Sequence, residues 1–290
     1  MPPLLRLLLT AALFASGGAL LKLCDFPSLQ RAGVRALIAA ATIFVLLPEA
    51  RRWPNARILR LLPAYFGATC LFVVANGLTT AANAIFLQSA APLWLVLLGP
   101  ILLREHPTRG DIITLLGVGA GMTLFFVAPT AAQRTAPNPP LGDLIAAASG
   151  LSYALLLLGM RWIARSGQQE QCAVIAWGNL FTAPVALAMM PLFDQHWTTG
   201  AAGDWVTITV LGVFQVGLAY VLLVRAIPHV PALRASLVMM IEPVLNSLVT
   251  WLVHDERPHP LAATGGVIIL AAVALGAAVT RATRRGLRPS

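Results

Sequence analysis

Lysine is almost missing from this chain: Lys22 is the single lysine among 290 residues, and acidic residues number only 11. Charged residues make up 11% and hydrophobic ones 58%, with a mean hydropathy of +0.79, which excludes an ordinary soluble domain. The three cysteines, Cys24, Cys70 and Cys172, have no paired spacing, so neither a disulfide framework nor a thiolate metal site is expected and they read as small apolar fillers. No GxxxxGK[ST] loop occurs, which removes an ATP-driven pump within this chain. The five histidines fall in loops or at the ends of apolar runs, so none lies deep enough to serve as a base for Ser152 in "SGLSYA". "HDERPH" separates His254 from His259 by five positions with Pro258 between them, unlike the i, i+4 pair of a helical zinc site. No enzyme, metal or cofactor is expected.

What is present is apolar length. At about 20 residues per crossing of a hydrocarbon layer, the charged and Pro/Gly-rich breaks divide the chain into ten spans. These lie near 4 to 24, 32 to 48, 61 to 79, 82 to 103, 111 to 129, 141 to 163, 172 to 192, 205 to 225, 232 to 253 and 261 to 280. The net charge of +9 does not point to nucleic acid, because the arginines occupy short loops rather than one amphipathic face. With the N-terminus cytoplasmic, 15 of the 20 basic residues fall on the inner side, as the positive-inside rule expects. Lys22, Arg31, Arg35, Arg134 and Arg257 are the remainder. Both termini are therefore expected in the cytoplasm of a bacterial-type inner membrane. The opening "RLLLTAALFASGGA" has the outline of a signal peptide, but Ala15–Gly17 recurs as Ala148–Gly150, and the segment is read as a retained first span.

An offset of 151 residues aligns "SAAPLWLVLLGPILLREHP" (89–107) with "MIEPVLNSLVTWLVHDERP" (240–258) without a gap. Pro92 meets Pro243, Glu105 meets Glu256 and Pro107 meets Pro258. Residues 1–135 and 136–290 then form two five-span repeats. An odd number of spans inverts the second half, so Glu105 is expected on the cytoplasmic side and Glu256 on the outer side. The expected fold is all-α and membrane-integral: ten transmembrane helices as two inverted five-helix repeats around a central cavity.

The segments "GDLIAAASGLSYALLLLGMRW", "LGVFQVGLAYVLLVRAI" and "RASLVMMIEPVLNSLVTWLVHDERP" resemble the second half of an EamA-type member of the drug/metabolite transporter superfamily, and the first half resembles a weaker copy. The resemblance implies secondary transport of small metabolites, often amino-acid export. One departure is that Ala91 stands where Glu242 stands in the other half.

A carboxylate near mid-membrane costs at least about 2.5 kcal/mol if it faces lipid. Glu242 is therefore expected to face the interior, in substrate or proton handling or as a structural tether. Pro92 frees the carbonyl of Gln88 and Pro243 that of Met239, giving a pair of kinks that serve as gating hinges or as static packing. Asn76, Asn83, Gln88, Ser89, Tyr153, Trp177, Asn179, Gln215, Tyr220, Ser236 and Asn246 describe a weakly polar, partly aromatic cavity, although each alone reads as interhelical glue. Trp94 and Trp177 are the deeper tryptophans and candidates for stacking on substrate; Trp53, Trp162, Trp197, Trp205 and Trp251 read as an interfacial belt. Lys22 and Arg35 are placed to meet a substrate carboxylate or to snorkel.

The expected substrate is a small zwitterion, with aromatic amino acids as the specific expectation, and polar or sulfur-containing amino acids as the alternative. The expected partners are that substrate, the lipid bilayer and, if transport is coupled, protons; a monomer is expected. A non-transporting scaffold is the reading from another class.

Overall fold

A computed structural model of the chain describes residues 1–103, 109–128, 132, 134–163, 168–230, 238–239 and 241–286. Within these ranges the side chains of 103, 111, 168, 169, 228 and 280–286 are not described. Glu105, Pro107 and Ser236, singled out above, lie outside the described residues, as do His106, Arg165 and Arg234.

The described chain is helical wherever it is apolar, because a backbone without water must close its hydrogen bonds within its own segment. The first span is α1 (Pro3–Ala15) and α2 (Gly17–Leu23), followed by α3 (Ser28–Leu46) and α4 (Ala56–Leu78). The fourth span is α5 (Ala81–Ser89) and α6 (Ala91–Leu103), and the fifth is α7 (Arg109–Val127). The second half continues with α8 (Pro139–Ile163) and α9 (Gln168–Met189). Its eighth span joins α10 (Ala202–Val210) to α11 (Ala219–Ala226) through a π-helix, Leu211–Leu218. The last two spans are α12 (Ile241–His254) and α13 (Pro260–Gly286). Eight helices among the described residues are long and apolar enough to cross a membrane. The shorter helices Ile112–Val127 and Ile241–His254 bring the number of spans to ten. Polar caps begin two of them: Asn55 accepts from the N–H groups of Arg57 and Ile58, and Thr80 from that of Asn83.

Two interruptions match local sequence. The fourth span breaks at Ala90 (φ −73°, ψ 6°), just ahead of Pro92, which cannot donate to the Gln88 carbonyl. Gly150 approaches so closely there that a Cβ on it would lie 2.8 Å from the Leu87 carbonyl oxygen. The first span breaks at Ser16, whose hydroxyl turns back onto the Leu13 carbonyl at 2.7 Å. Gly17 and Gly18 follow, and their missing side chains admit Gln215 and Asn246 from the eighth and ninth spans.

Span 2 packs on span 7, span 4 on span 9, and span 5 along span 10. Span 3 packs on spans 6 and 7 as span 8 packs on spans 1 and 2, and span 4 meets span 6 as span 9 meets span 1. Exchanging each span with the one five places on therefore maps this set of contacts onto itself. The 5–10 seam is built on small residues, with Gly121 backing onto the Gly265 carbonyl.

An even number of crossings returns the chain to the side on which it began. The opposite side, carrying the turns around 24–27, 79–80, 132–138, 194–201 and 255–259, is called the distal face below. Cys24, Cys70 and Cys172 are all buried, so a single introduced cysteine reports topology against a quiet background. Exposed Asn138 mutated to Cys is expected to react with an impermeant maleimide from the side opposite to tags at either end; termini on opposite faces would refute the ten-span arrangement.

Candidate functional site

The distal face is closed by buried charge. Lys22, in the last turn of α2, places Nζ 3.0 Å from Glu256 Oε1, and the two side chains are only 3% and 2% accessible. The same ammonium donates to the Thr79 carbonyl at 2.9 Å and to the Thr135 carbonyl. Its three donors are thus committed. Glu256 Oε2 accepts from the N–H of Ala81 at 3.0 Å, at the start of α5, where the helix dipole favours an anion. One ion pair therefore joins the first span, the 3–4 turn, the 5–6 connection and the 9–10 turn. Beside it, buried Asp143 accepts from Thr79 Oγ1 at 2.6 Å and from Asn83 Nδ2 at 3.0 and 3.1 Å. On the other flank, Gln30 exchanges two hydrogen bonds with Thr198, at 2.8 and 3.0 Å.

A second polar layer lies deeper. The Tyr65 hydroxyl accepts from Asn179 Nδ2 at 2.6 Å and lies beside Tyr220, and Tyr220 meets Phe14 edge-on with ring centroids 5.2 Å apart. Tyr153 and Glu242 lie within electrostatic reach of Tyr220 and of each other, enclosed by the bundle. Both nevertheless retain accessible surface, 36% for Tyr153, as side chains lining an internal space do. Among the described residues Glu242 makes no hydrogen bond or ion pair. Arg35, from α3, enters the same layer, reaching Gln215 Oε1 at 3.4 Å and the Thr69 carbonyl at 3.5 Å. Gln215 lies within the π-helix, a departure from α geometry that frequently marks functional positions.

The residues named from the sequence divide between these layers and the scaffold. Tyr153, Gln215, Tyr220 and Glu242 share the deep layer, with Asn179 as the tether of Tyr65. Gln88 is occupied by the Ala68 carbonyl at 2.8 Å and Ser149 Oγ at 2.7 Å, knitting spans 3, 4 and 6; Ser89 is partly buried beside it. Asn76 and Asn246 are each 0% accessible with both amide atoms unpartnered, and the Trp94 indole N–H is likewise buried without a partner. Trp177 is directed elsewhere: its Nε1 donates to the Arg52 carbonyl at 2.8 Å and its ring packs on Phe44 and Trp53. That places it by the 2–3 connection, toward the face bearing the termini. Lys22 lies in the distal seal, not in the deep layer. Pro92 and Pro243 both begin helical segments; Met240, beside the second kink, is outside the described residues.

Tyr65, Asp143 and the Lys22–Glu256 pairing were not assigned to a site from the sequence, and Arg35 was named there with Lys22 as meeting a carboxylate or snorkelling. Arg35 carried a signal, a cation two turns into an apolar span; Tyr65 carried none until Asn179 appeared beside it. Among the described residues no three His, Cys, Asp or Glu side chains come together as metal ligands. A separate cleft of about 180 Å³ between spans 4, 5, 9 and 10, lined by Phe86, Phe125, Val244 and Leu270, is apolar and touches none of these groups.

The sequence model of the EamA-like transporter family matches residues 1–127 and again 140–277. An uncharacterized protein of Pseudomonas aeruginosa is 30% identical over 268 residues, covering 86% of this chain and 85% of its own length. An uncharacterized transporter of Archaeoglobus fulgidus is 27% identical over 222 residues, 76% of each chain. A solved protein crystal structure superimposes over 99% of both chains with a TM-score of 0.67 at 20% identity, which is a likeness of fold.

The distal seal makes a prediction of its own. Removing one partner of a buried pair leaves the other charge stranded, at a cost of about 3–5 kcal/mol, whereas removing both is far less harmful. Lys22→Met and Glu256→Leu are each expected to lower the thermal unfolding temperature strongly, with the double variant more stable than the sum of the two losses implies. Strict additivity in that cycle would mean the two side chains do not act as a pair.

Proposed function

Because the chain belongs to the EamA-like transporter family, we propose that it is a secondary transporter exporting small zwitterionic metabolites by alternating access, with aromatic amino acids as its substrates. The observation that carries this reading is Glu242: a carboxylate inside the bundle, with accessible surface, no ion-pair partner among the described residues, and two tyrosines around it. An unpaired interior carboxylate is costly in a membrane, and a substrate ammonium is a natural counterpart. Tyr153, Tyr220 and Phe14 supply aromatic edges and faces for an apolar side chain. The unpartnered amides of Asn76 and Asn246 favour a second reading, export of polar or sulfur-containing amino acids.

The two halves, 1–135 and 136–290, act in this reading as inverted units that rock about the deep layer, with Pro92 and Pro243 as hinges and the Lys22–Glu256 seal opening as the other side closes. The exchange symmetry of the helix contacts supports it. The basic-residue asymmetry supports cytoplasmic termini in an inner membrane, so that the distal face is external. The protein works as a monomer, with protons as the candidate coupling ion through Glu242, and no catalytic step is assigned.

Proteoliposomes loaded with a panel of labelled amino acids test the substrate. Movement of at least one aromatic member is expected, and a panel in which none moves sinks the specific assignment. Glu242→Gln keeps size and hydrogen-bonding capacity while removing the charge. It is expected to fold normally, to lower flux by at least about tenfold, and to alter the dependence of flux on pH. Superimposable pH profiles at matched protein levels would make Glu242 a structural tether.

A further inference from the structure

Among the described residues Arg35 is the least satisfied cation of the interior. Its residue is 5% accessible, yet no carboxylate among the described residues pairs with it. A guanidinium carries five N–H donors; here one reaches Gln215 Oε1 at 3.4 Å and one the Thr69 carbonyl at 3.5 Å, both at the long limit of a hydrogen bond, and Nε has no partner. The contrast with the neighbouring cations is sharp. Lys22 has an ion pair and two carbonyls, and Arg31, one turn earlier on the same helix, also leaves Nε without a partner, but its terminal nitrogens are held by the carbonyls of Leu21 and Cys24 and by Ser28 Oγ. Among the described residues, Arg35 is the buried cation whose hydrogen bonds all sit at the long limit.

Its surroundings are those of the deep layer. Tyr65 and Tyr220 lie within electrostatic reach of Arg35, and Tyr220 is within reach of Glu242 as well. The cation without an ionic partner among the described residues comes from span 2 in the first half and the carboxylate without one from span 9 in the second, with Tyr220 within electrostatic reach of both. A cation left in this state is a site for an anion that arrives and leaves, and a guanidinium fits a planar carboxylate through two parallel N–H···O bonds.

Extending the substrate reading above, on which this step rests for the identity of the rest of the ligand, we propose that Arg35 is the substrate-carboxylate anchor and that Glu242 holds the ammonium of the same molecule. Gln215 is the positioning residue: its amide oxygen holds the guanidinium in the empty site and yields it when a carboxylate binds. A phosphorylated substrate, which would want several cations, is not the match, since one guanidinium is what the deep layer offers.

The experiment uses the purified full chain and four probes that differ by one group: phenylalanine, phenylalaninamide, phenethylamine and 3-phenylpropionate. Binding is read as stabilisation against heat. For the wild type, phenylalanine is expected to bind roughly 10- to 100-fold more tightly than its amide, the range lost with a charge-assisted hydrogen-bond pair. In Arg35→Gln that preference is expected to vanish while phenethylamine binding persists. Arg35→Lys should recover part of it. Glu242→Gln should instead abolish the preference for phenylalanine over 3-phenylpropionate and leave the acid-over-amide preference intact. The proposal is overturned if the wild type binds the amide as tightly as the acid, a comparison that requires no variant to fold. It is overturned equally if Arg35→Gln retains the preference, or if none of the probes binds. If 3-phenylpropionate binds in an Arg35-dependent manner but phenylalanine neither binds nor moves, the anchor stands and the amino-acid reading falls. If amino acids move with no dependence on Arg35, the reverse holds.

Discussion

Inside a hydrocarbon layer each charge must be answered by the protein itself, because no water is present to answer it. The few interior charges of this chain are answered very unequally, and that inequality organises the molecule. Lys22 and Glu256 neutralise each other and gather carbonyl and N–H groups from two connections around them. Asp143 has a hydroxyl and an amide; Arg31 has two carbonyls and a hydroxyl. These groups lie toward the distal face, where they fasten helix ends together. Deeper in, Arg35 and Glu242 have no ionic partner among the described residues, and this is where the tyrosines collect. Satisfied charges close the protein; unsatisfied ones are available to a ligand.

Backbone irregularity follows the same division. The chain leaves α geometry at Ser16, at Ala90 and through the π-helix Leu211–Leu218. Each departure adjoins the polar layers. Ser16 opens the way for Gln215 and Asn246 to reach Gly17 and Gly18. Ala90 leaves carbonyls facing Gly150, and the π segment carries Gln215 against Arg35. The 5–10 pair, by contrast, runs as two unbroken helices along a small-residue seam. An unbroken pair of this kind is suited to a static strut, whereas broken spans can change their internal angle at modest cost.

Much of the fold was legible in the sequence, because the signals that set it are local: apolar length fixes spans and Pro92 fixes the break at Ala90. The site was less so. Glu242 announced itself as a carboxylate in an apolar run, but Tyr65 did not, since a tyrosine in "LLPAYFGATC" reads as one more apolar residue until Asn179, 114 positions away, meets its hydroxyl. Asp143 has partners 64 and 60 positions distant. Trp177 shows the converse: a tryptophan midway along an apolar run looked available, yet its N–H belongs to the Arg52 carbonyl. The π-helix had no sequence signal, because widening a turn leaves hydrophobic periodicity almost unchanged over eight residues.

The duplicated sequence suggests a site repeated twice, and the chemistry departs from that. At the offset of 151, Glu242 faces Ala91, so the second half contributes a carboxylate that the first lacks, while the first contributes Arg35. A zwitterion needs one of each, and a symmetric pair of acids or of bases would repel one of its ends. In the proposed reading, with the cation on span 2 and the anion on span 9, the two charges of a zwitterionic substrate would be held by opposite halves of the protein. Any rocking of one half against the other then changes the separation between the two anchors. A substrate that bridges them is gripped best in the arrangement where that separation matches its own length, and it is loosened as the halves move on. Breaking the pseudo-symmetry at these positions links occupancy of the site to the relative motion of the repeats, a link that two identical half-sites would not supply.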